Sequence, residues 1–167
     1  PDMITQAKSL SGFGLPFAAL LIKQEHDVWK PAEHNGTFRG NTHAFVTARV
    51  ALEKFWADNA AFEKAIAEKA DTLEAGLTKI ADLVDGAYLK GRGFMRGVDV
   101  GTGDLAEDIC ARAFEKGLII ETSGADDEVV KVLAALTIPN EVLERGLDIL
   151  LDATRDALAD NQTLAAE

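Results

Sequence analysis

Residues 3–22 read MITQAKSLSGFGLPFAALLI. Met3-Ile4-Thr5 is short, apolar and β-prone. Lys8 follows, and then Ser9, Ser11, Gly12, Gly14 and Pro16 give the composition of a loop. Phe17–Ile22 is a continuous apolar run of strand length, which suits a strand buried on both faces, as in a parallel sheet, while its periodicity alone does not exclude a helix. Lys8 therefore stands just past one strand, where open α/β sheets gather ligands. A lysine amine in such a place can form imines with carbonyl compounds. On composition alone a single lysine is far more often a solvated side chain.

Downstream, residues 23–44 read as a long loop with Gly36, Gly40 and three histidines. Long ordered loops tend to be functional. Within it lies His34-Asn35-Gly36-Thr37-Phe38-Arg39-Gly40-Asn41. Backbone N–H groups of small residues and the Thr37 hydroxyl can hold a phosphate. The guanidinium of Arg39 can take a carboxylate through two parallel donors. His26, His34 and His43 are not at zinc spacing and no cysteine accompanies them, so a metal site is rejected. Neither a dinucleotide-binding GxGxxG nor a P-loop is present.

Phe45, Ala48, Leu52 and Phe55 or Trp56 repeat at helical spacing, and Asp58-Asn59 can cap a new helix. Phe62, Ile66, Ala70, Leu73, Leu77, Ile80 and Val84 form one apolar stripe, predicting a long connecting helix over 60–84. Residues 87–100 (AYLKGRGFMRGVDV) read as strand with glycine interruptions. Asp104 with Glu107 resembles a capping box, and Gly117 suits the end of the helix it opens. Residues 118–122 and 129–133 read as strands around a turn at 123–127. Asn140 can cap a last helix, fraying after Asp160. The order strand–helix–strand–strand–helix describes a small α/β domain.

The chain has 167 residues, about one domain's length. Its 17 basic against 28 acidic side chains leave a net charge of −11, which repels phosphate backbones and excludes a nucleic-acid partner. The single cysteine, Cys110, excludes an intrachain disulfide and reads as a small core residue. No apolar run reaches the roughly 20 residues needed to cross a bilayer. The opening Pro1-Asp2-Met3 carries no basic leader, so a cytoplasmic location is expected, and the lack of an initiator Met suggests a piece of a longer chain.

AKSLSGFGLP, with EHNGTFRGN about 20 residues on, resembles the class III, or ω-, aminotransferases, which depend on pyridoxal 5'-phosphate. LKGRGFMRGVDV and VVKVLAALTI resemble two later family segments, so the resemblance runs in order along nearly the whole chain. It implies an α/β fold type I transferase: residues 1–59 as the end of the large cofactor-binding domain, 60–84 as a connecting helix, and 85–167 as the small C-terminal domain. It implies that Lys8 holds the cofactor as a Schiff base and acts as catalytic base. It also implies that Thr37, with Gly36, binds the cofactor phosphate of a neighbouring subunit in a homodimer or higher homo-oligomer. The family's N-terminal half supplies a glycine–serine phosphate turn, a ring-stacking aromatic and an aspartate for the pyridine nitrogen. None of these is in this sequence, so the chain reads as the C-terminal part.

Within the family, DVWKPAEHNGTFRGN and GLIIETSGADDEVVKVLAALTIP are similar to the diaminobutyrate–2-oxoglutarate branch, particularly that of ectoine biosynthesis. That branch moves an amino group from glutamate to aspartate 4-semialdehyde. Arg39, and Lys131 where many relatives carry a carboxylate-binding arginine, are the expected substrate contacts. Thr42 replaces a common proline, and Ala134-Ala135 replaces a Pro-Pro pair. The alternatives are another ω-aminotransferase, acting on 4-aminobutyrate or ornithine, and a catalytically silent fragment that acts only in association.

Overall fold

The computed structural model describes residues 1–12 and 14–164. The chain divides into two compact units, Pro1–Phe62 and Glu63–Glu167.

In the first unit, β1 (Met3–Gln6) pairs antiparallel with β2 (Ala19–Ile22), from Met3 opposite Ile22 to Gln6 opposite Ala19. The expected strand is present, but neither its parallel setting nor its burial is: Leu20 and Leu21 are 47% and 53% exposed. A two-stranded ribbon has no layer to cover its faces. An apolar run reports the demand for burial, not what meets it. A single 3-10 turn, Lys8–Ser11, connects to the loop before β2. The long loop ends at α1 (Thr42–Ala51), where the side chain of Asn41 accepts a hydrogen bond from Ala44 N–H at 3.2 Å. Ala44 and Ala48 are its buried residues. The helical spacing continues past Ala51, but Leu52–Trp56 is wound as a π-helix. Phe55 and Trp56 then both reach Phe62, at 5.4 and 5.0 Å between ring centres.

Helix α2 (Asn59–Ala81) carries the apolar stripe from Phe62 to Ile80, and ends at Ala81 rather than at the expected residue 84, so that Val84 is buried from the turn that follows. Asp58 caps it, accepting from Ala61 N–H at 3.4 Å. The second unit is a four-stranded antiparallel sheet in the order β3 (Tyr88–Arg92), β4 (Met95–Asp99), β6 (Val129–Val132), β5 (Glu121–Ser123). Its core holds Leu73, Leu77, Ile80, Val98, Ile109, Val130 and Leu150, each essentially inaccessible. Residues 87–100 are a tight hairpin rather than one interrupted strand. Gly91 (φ 95°) and Gly93 (φ 57°) adopt left-handed conformations around the turn, and a Cβ on Gly91 would lie 2.2 Å from the Met95 carbonyl.

The element order is therefore strand–strand–helix–strand–strand–helix. Helix α3 (Gly103–Glu115) is capped by Thr102, which accepts from Leu105 N–H at 3.4 Å. Asp104, the expected cap, sits inside the first turn, where its charge meets the helix dipole. Gly117 (φ 89°) ends α3 with both bonds of a Schellman motif, Gly117 N–H to Phe114 C=O and Leu118 N–H to Ala113 C=O. Strand β5 begins only at Glu121, opposite Lys131. β6 ends at Val132, so residues 118–120 have almost no strand to pair with. Helix α4 (Asn140–Leu164) closes its first turn on the Pro139 carbonyl, which accepts from Val142 and Leu143 N–H. It continues past Asp160, and residues 165–167 of the expected frayed tail lie outside the described residues. Among the described residues, no helix is long and apolar enough to cross a membrane.

Candidate functional site

Lys8 opens the 3-10 turn with φ 57°. An L-residue in this left-handed region costs about 1–2 kcal/mol, so its surroundings impose the conformation. The turn is closed by Leu10 N–H to Ala7 C=O and Gly12 N–H to Ser9 C=O. Lys8 is exposed and, with Ser9, Gly12, Gly14, Leu15 and Pro16, lines an open pocket. Among the described residues, nothing forms an ion pair or hydrogen bond with its amine.

The second group of expected residues forms a separate turn. Arg39 N–H donates to the Gly36 carbonyl at 3.1 Å, which places Thr37 and Phe38 at the turn's tip. A Cβ on Gly36 would lie 3.0 Å from Arg39 Nε, so glycine gives the guanidinium room to fold back over the turn. There Arg39 Nη1 contacts His34 Nε2, and His34 lies against Trp29 with 5.1 Å between ring centres. Thr37 is exposed, its hydroxyl unpaired among the described residues. Phe38 is 98% exposed beside it. This turn shares no residue with the pocket at Lys8.

Lys131 belongs to the second unit. It lies on β6 opposite Glu121, and its Nζ is 2.7 Å from Glu121 Oε1. This pair holds the Glu121 carboxyl below the usual carboxylate range. It borders an apolar cavity of about 420 Å³ walled by Leu118, Ile120, Val132, Ile138, Leu143 and Leu147. Lys131 is thus a satisfied cation and not a free one.

Two polar groups escaped the sequence reading. Lys90 Nζ lies 2.7 Å from Asp99 Oδ2 and 2.9 Å from Glu128 Oε1, tying β3 and β4 to the turn before β6. Asp99 is nearly buried and also accepts from Gly101 N–H. Hydrogen bonding to Lys90 holds both carboxyls below their ordinary range and raises the ammonium. The three positions are scattered through the sequence, and only strand register joins them. The other group is Asp2, Glu25 and His26, whose ligand atoms lie within 4.8 Å of one another. It is largely exposed, and Asp2 is already paired with Lys23 at 2.6 Å. Cys110 is half-buried, and burial with the nearby charges of Glu107 and Glu121 pushes its thiol up to about 11. A raised thiol is the less nucleophilic form, which suits a cysteine packed against the core.

The fold is that of the fold type I transferases. The crystal structure of adenosylmethionine-8-amino-7-oxononanoate aminotransferase from Methanocaldococcus jannaschii superposes with a TM-score of 0.80 at 23% identity, over 93% of this chain and 39% of that one. Residues 1–154 match the family Aminotransferase class-III, and the chain belongs to that family. It is 52% identical over 163 residues to the diaminobutyrate–2-oxoglutarate transaminase of Halomonas elongata, covering 95% of this chain and 38% of that protein. It is 53% identical over 152 residues to the enzyme of the same name from Vibrio cholerae, covering 90% of this chain and 37% of that protein. The chain thus spans little more than a third of the length of these relatives.

Proposed function

We propose that this chain is the lysine-bearing part of a pyridoxal-phosphate-dependent L-2,4-diaminobutyrate:2-oxoglutarate 4-aminotransferase. Glutamate would give its amino group to aspartate 4-semialdehyde, yielding 2,4-diaminobutyrate and 2-oxoglutarate. The observation that carries this reading is identity above 50% to two transaminases of that name across nine-tenths or more of the chain. The donor chemistry agrees: the unpaired amine of Lys8 suits the cofactor's aldehyde, and the Gly36–Thr37 turn offers a free hydroxyl to its phosphate.

When bound, the cofactor supplies an electron sink for the carbon that gains or loses the amino group. Lys8 would anchor it covalently. With its amine free, Lys8 would serve as the base that takes the proton from Cα of glutamate and the acid that delivers one to C4 of the product. Thr37 would hold the phosphate of a neighbouring subunit's cofactor. The exposed Phe38, Val28 and Trp29 in the same loop support association through this surface. Arg39 is the first contact for a substrate carboxylate and exchanges His34 for it. Lys131 is a second contact, reached by exchanging Glu121. We place the assembly in the cytoplasm as a homodimer or higher homo-oligomer, with its product feeding ectoine biosynthesis.

The test is Lys8→Ala in the full-length protein. Borohydride reduction of the unsubstituted protein with pyridoxal phosphate should add the cofactor's mass to the peptide containing Lys8. The variant should show no such addition and lose at least about 10²–10⁴-fold in turnover. Normal turnover in the variant sinks the assignment.

A further inference from the structure

The left-handed backbone of Lys8 needs a cause, and the residues on either side supply it. On the N-terminal side the chain is fixed by pairing of Gln6 with Ala19. On the C-terminal side the 3-10 turn is pressed against α1. Ser11 is 1% exposed. Its hydroxyl is buried without a partner among the described residues, so packing and not a hydrogen bond seats it. Gly12 (φ 78°) approaches the helix so closely that a Cβ there would lie 2.8 Å from Ala51 Cβ and 3.3 Å from the Thr47 carbonyl. Between these anchors only the four residues Ala7–Leu10 remain to absorb the path, and Lys8 carries the strain.

We propose that the seam between Gly12 and the last turn of α1 positions Lys8, making Gly12 and Ala51 positioning residues for the lysine's chemistry. The inference rests on the reading of Lys8 given above. Ala51 touches neither the pocket nor the Gly36–Arg39 turn, and it acts only through the distance it allows between α1 and the 3-10 turn. A larger side chain there displaces Ser11 and Gly12 from α1. The turn then relaxes, and Lys8 leaves the left-handed region with its amine redirected. A small displacement of a reacting group is enough to cost on the order of a hundred-fold in rate.

The experiment is a graded series in the full-length protein, Ala51→Gly, Ala51→Val and Ala51→Leu, with Val50→Ala on an exposed face of the same helix as control. For each, kcat, KM for both substrates, the pH profile of kcat and the thermal midpoint are measured with pyridoxal phosphate present. The expected result is a fall in kcat that follows added volume, reaching on the order of ten- to a hundred-fold for Leu. KM stays nearly constant, and the pH profile moves because the lysine's surroundings change. Val50→Ala stays at the unsubstituted kcat. A series that lowers only the thermal midpoint, with kcat and pH profile unchanged, overturns the inference. Should Ala51→Leu not fold, Ala51→Gly and Ala51→Val still give the ranking. Lys8→Ala, run alongside, separates the two claims. An inactive Lys8→Ala with a flat Ala51 series ends the positioning role alone, whereas an active Lys8→Ala ends the reading of the site.

Discussion

Lys8 and Lys131 are both amines, but what surrounds each differs. Lys8 has strain in its backbone and, among the described residues, no partner at its tip; Lys131 has neither strain nor freedom, because Glu121 holds it. A substrate carboxylate reaching Lys131 must displace one already in place. Glu121→Gln removes that competitor while keeping the side chain's shape. The expected result in the full-length enzyme is a lower KM for the dicarboxylate substrate with kcat little changed. An unchanged KM would remove Lys131 from the substrate site.

The Lys90–Asp99–Glu128 group makes a different prediction, about pH. Asp99 and Glu128 titrate lower when folded than unfolded, so the stability they contribute is present above about pH 4 and lost as pH falls through their depressed values. Lys90 titrates higher when folded, so its contribution is present below about pH 10 and lost as pH rises through its raised value. Lys90→Met leaves a nearly buried Asp99 charge with no cation beside it. The variant should melt well below the unsubstituted chain at pH 7, and the gap should narrow at pH 3, where the carboxyls begin to protonate. Equal gaps at the two pH values would show that Lys90 acts by packing alone.

At the scale of elements, the long helix was legible because its message is local. The stripe from Phe62 to Val84 needs only helical spacing, and Leu73, Leu77 and Ile80 do face the core. Leu77→Ala should cost about 2–5 kcal/mol, read as a lower urea midpoint at unchanged slope. A loss under about 1 kcal/mol would mean that α2 repacks around the gap. Gly117 was legible for the same reason, since a helix end with a left-handed residue is written in neighbouring positions. What escaped depends on pairing. Nothing within 87–100 distinguishes an interrupted strand from a hairpin until Gly91 is seen against the Met95 carbonyl. Thr102 outcompetes Asp104 as a cap by two positions that composition does not separate. In the candidate site, Lys8 stands out by the motif AKSLSGFGLP that carries the family resemblance, and its role there is the one proposed above. Its left-handed φ is not written there, since the turn packs, through Gly12, on Ala51 and Thr47, some forty residues on. The pairing of Lys131 with Glu121 likewise follows from strand register, which sequence spacing does not encode.

For the whole molecule, the two units differ in how much they bury. Nearly all the fully buried apolar side chains belong to Glu63–Glu167, where a sheet is covered by helices. In Pro1–Phe62 the buried residues among those described are Ser11, Ala44 and Ala48, while Met3, Leu20, Leu21, Val28 and Phe38 stand open. Apolar burial at roughly 25 cal/mol per Å² is the main term opposing chain entropy, so the first unit alone has little to hold it. The net charge of −11 falls entirely on the second unit, with 11 basic against 22 acidic side chains, while the first balances six against six, so charge repulsion does not account for the first unit's weakness. Hydrogen exchange of this 167-residue chain should therefore be uneven. Amides of β4, α3 and the middle of α4 should exchange only through global opening of the second unit, and those of β1, β2 and the turn at Lys8 through far cheaper local opening. In the full-length, cofactor-loaded protein, the turn at Lys8 should gain protection, since whatever covers the first unit's apolar surface and whatever Lys8 binds both act on the state in which that turn is formed. Equal protection of the two units in the 167-residue chain would show that the first unit's exposed apolar side chains find burial within the chain itself. Lys8 would then be held without help from any further polypeptide.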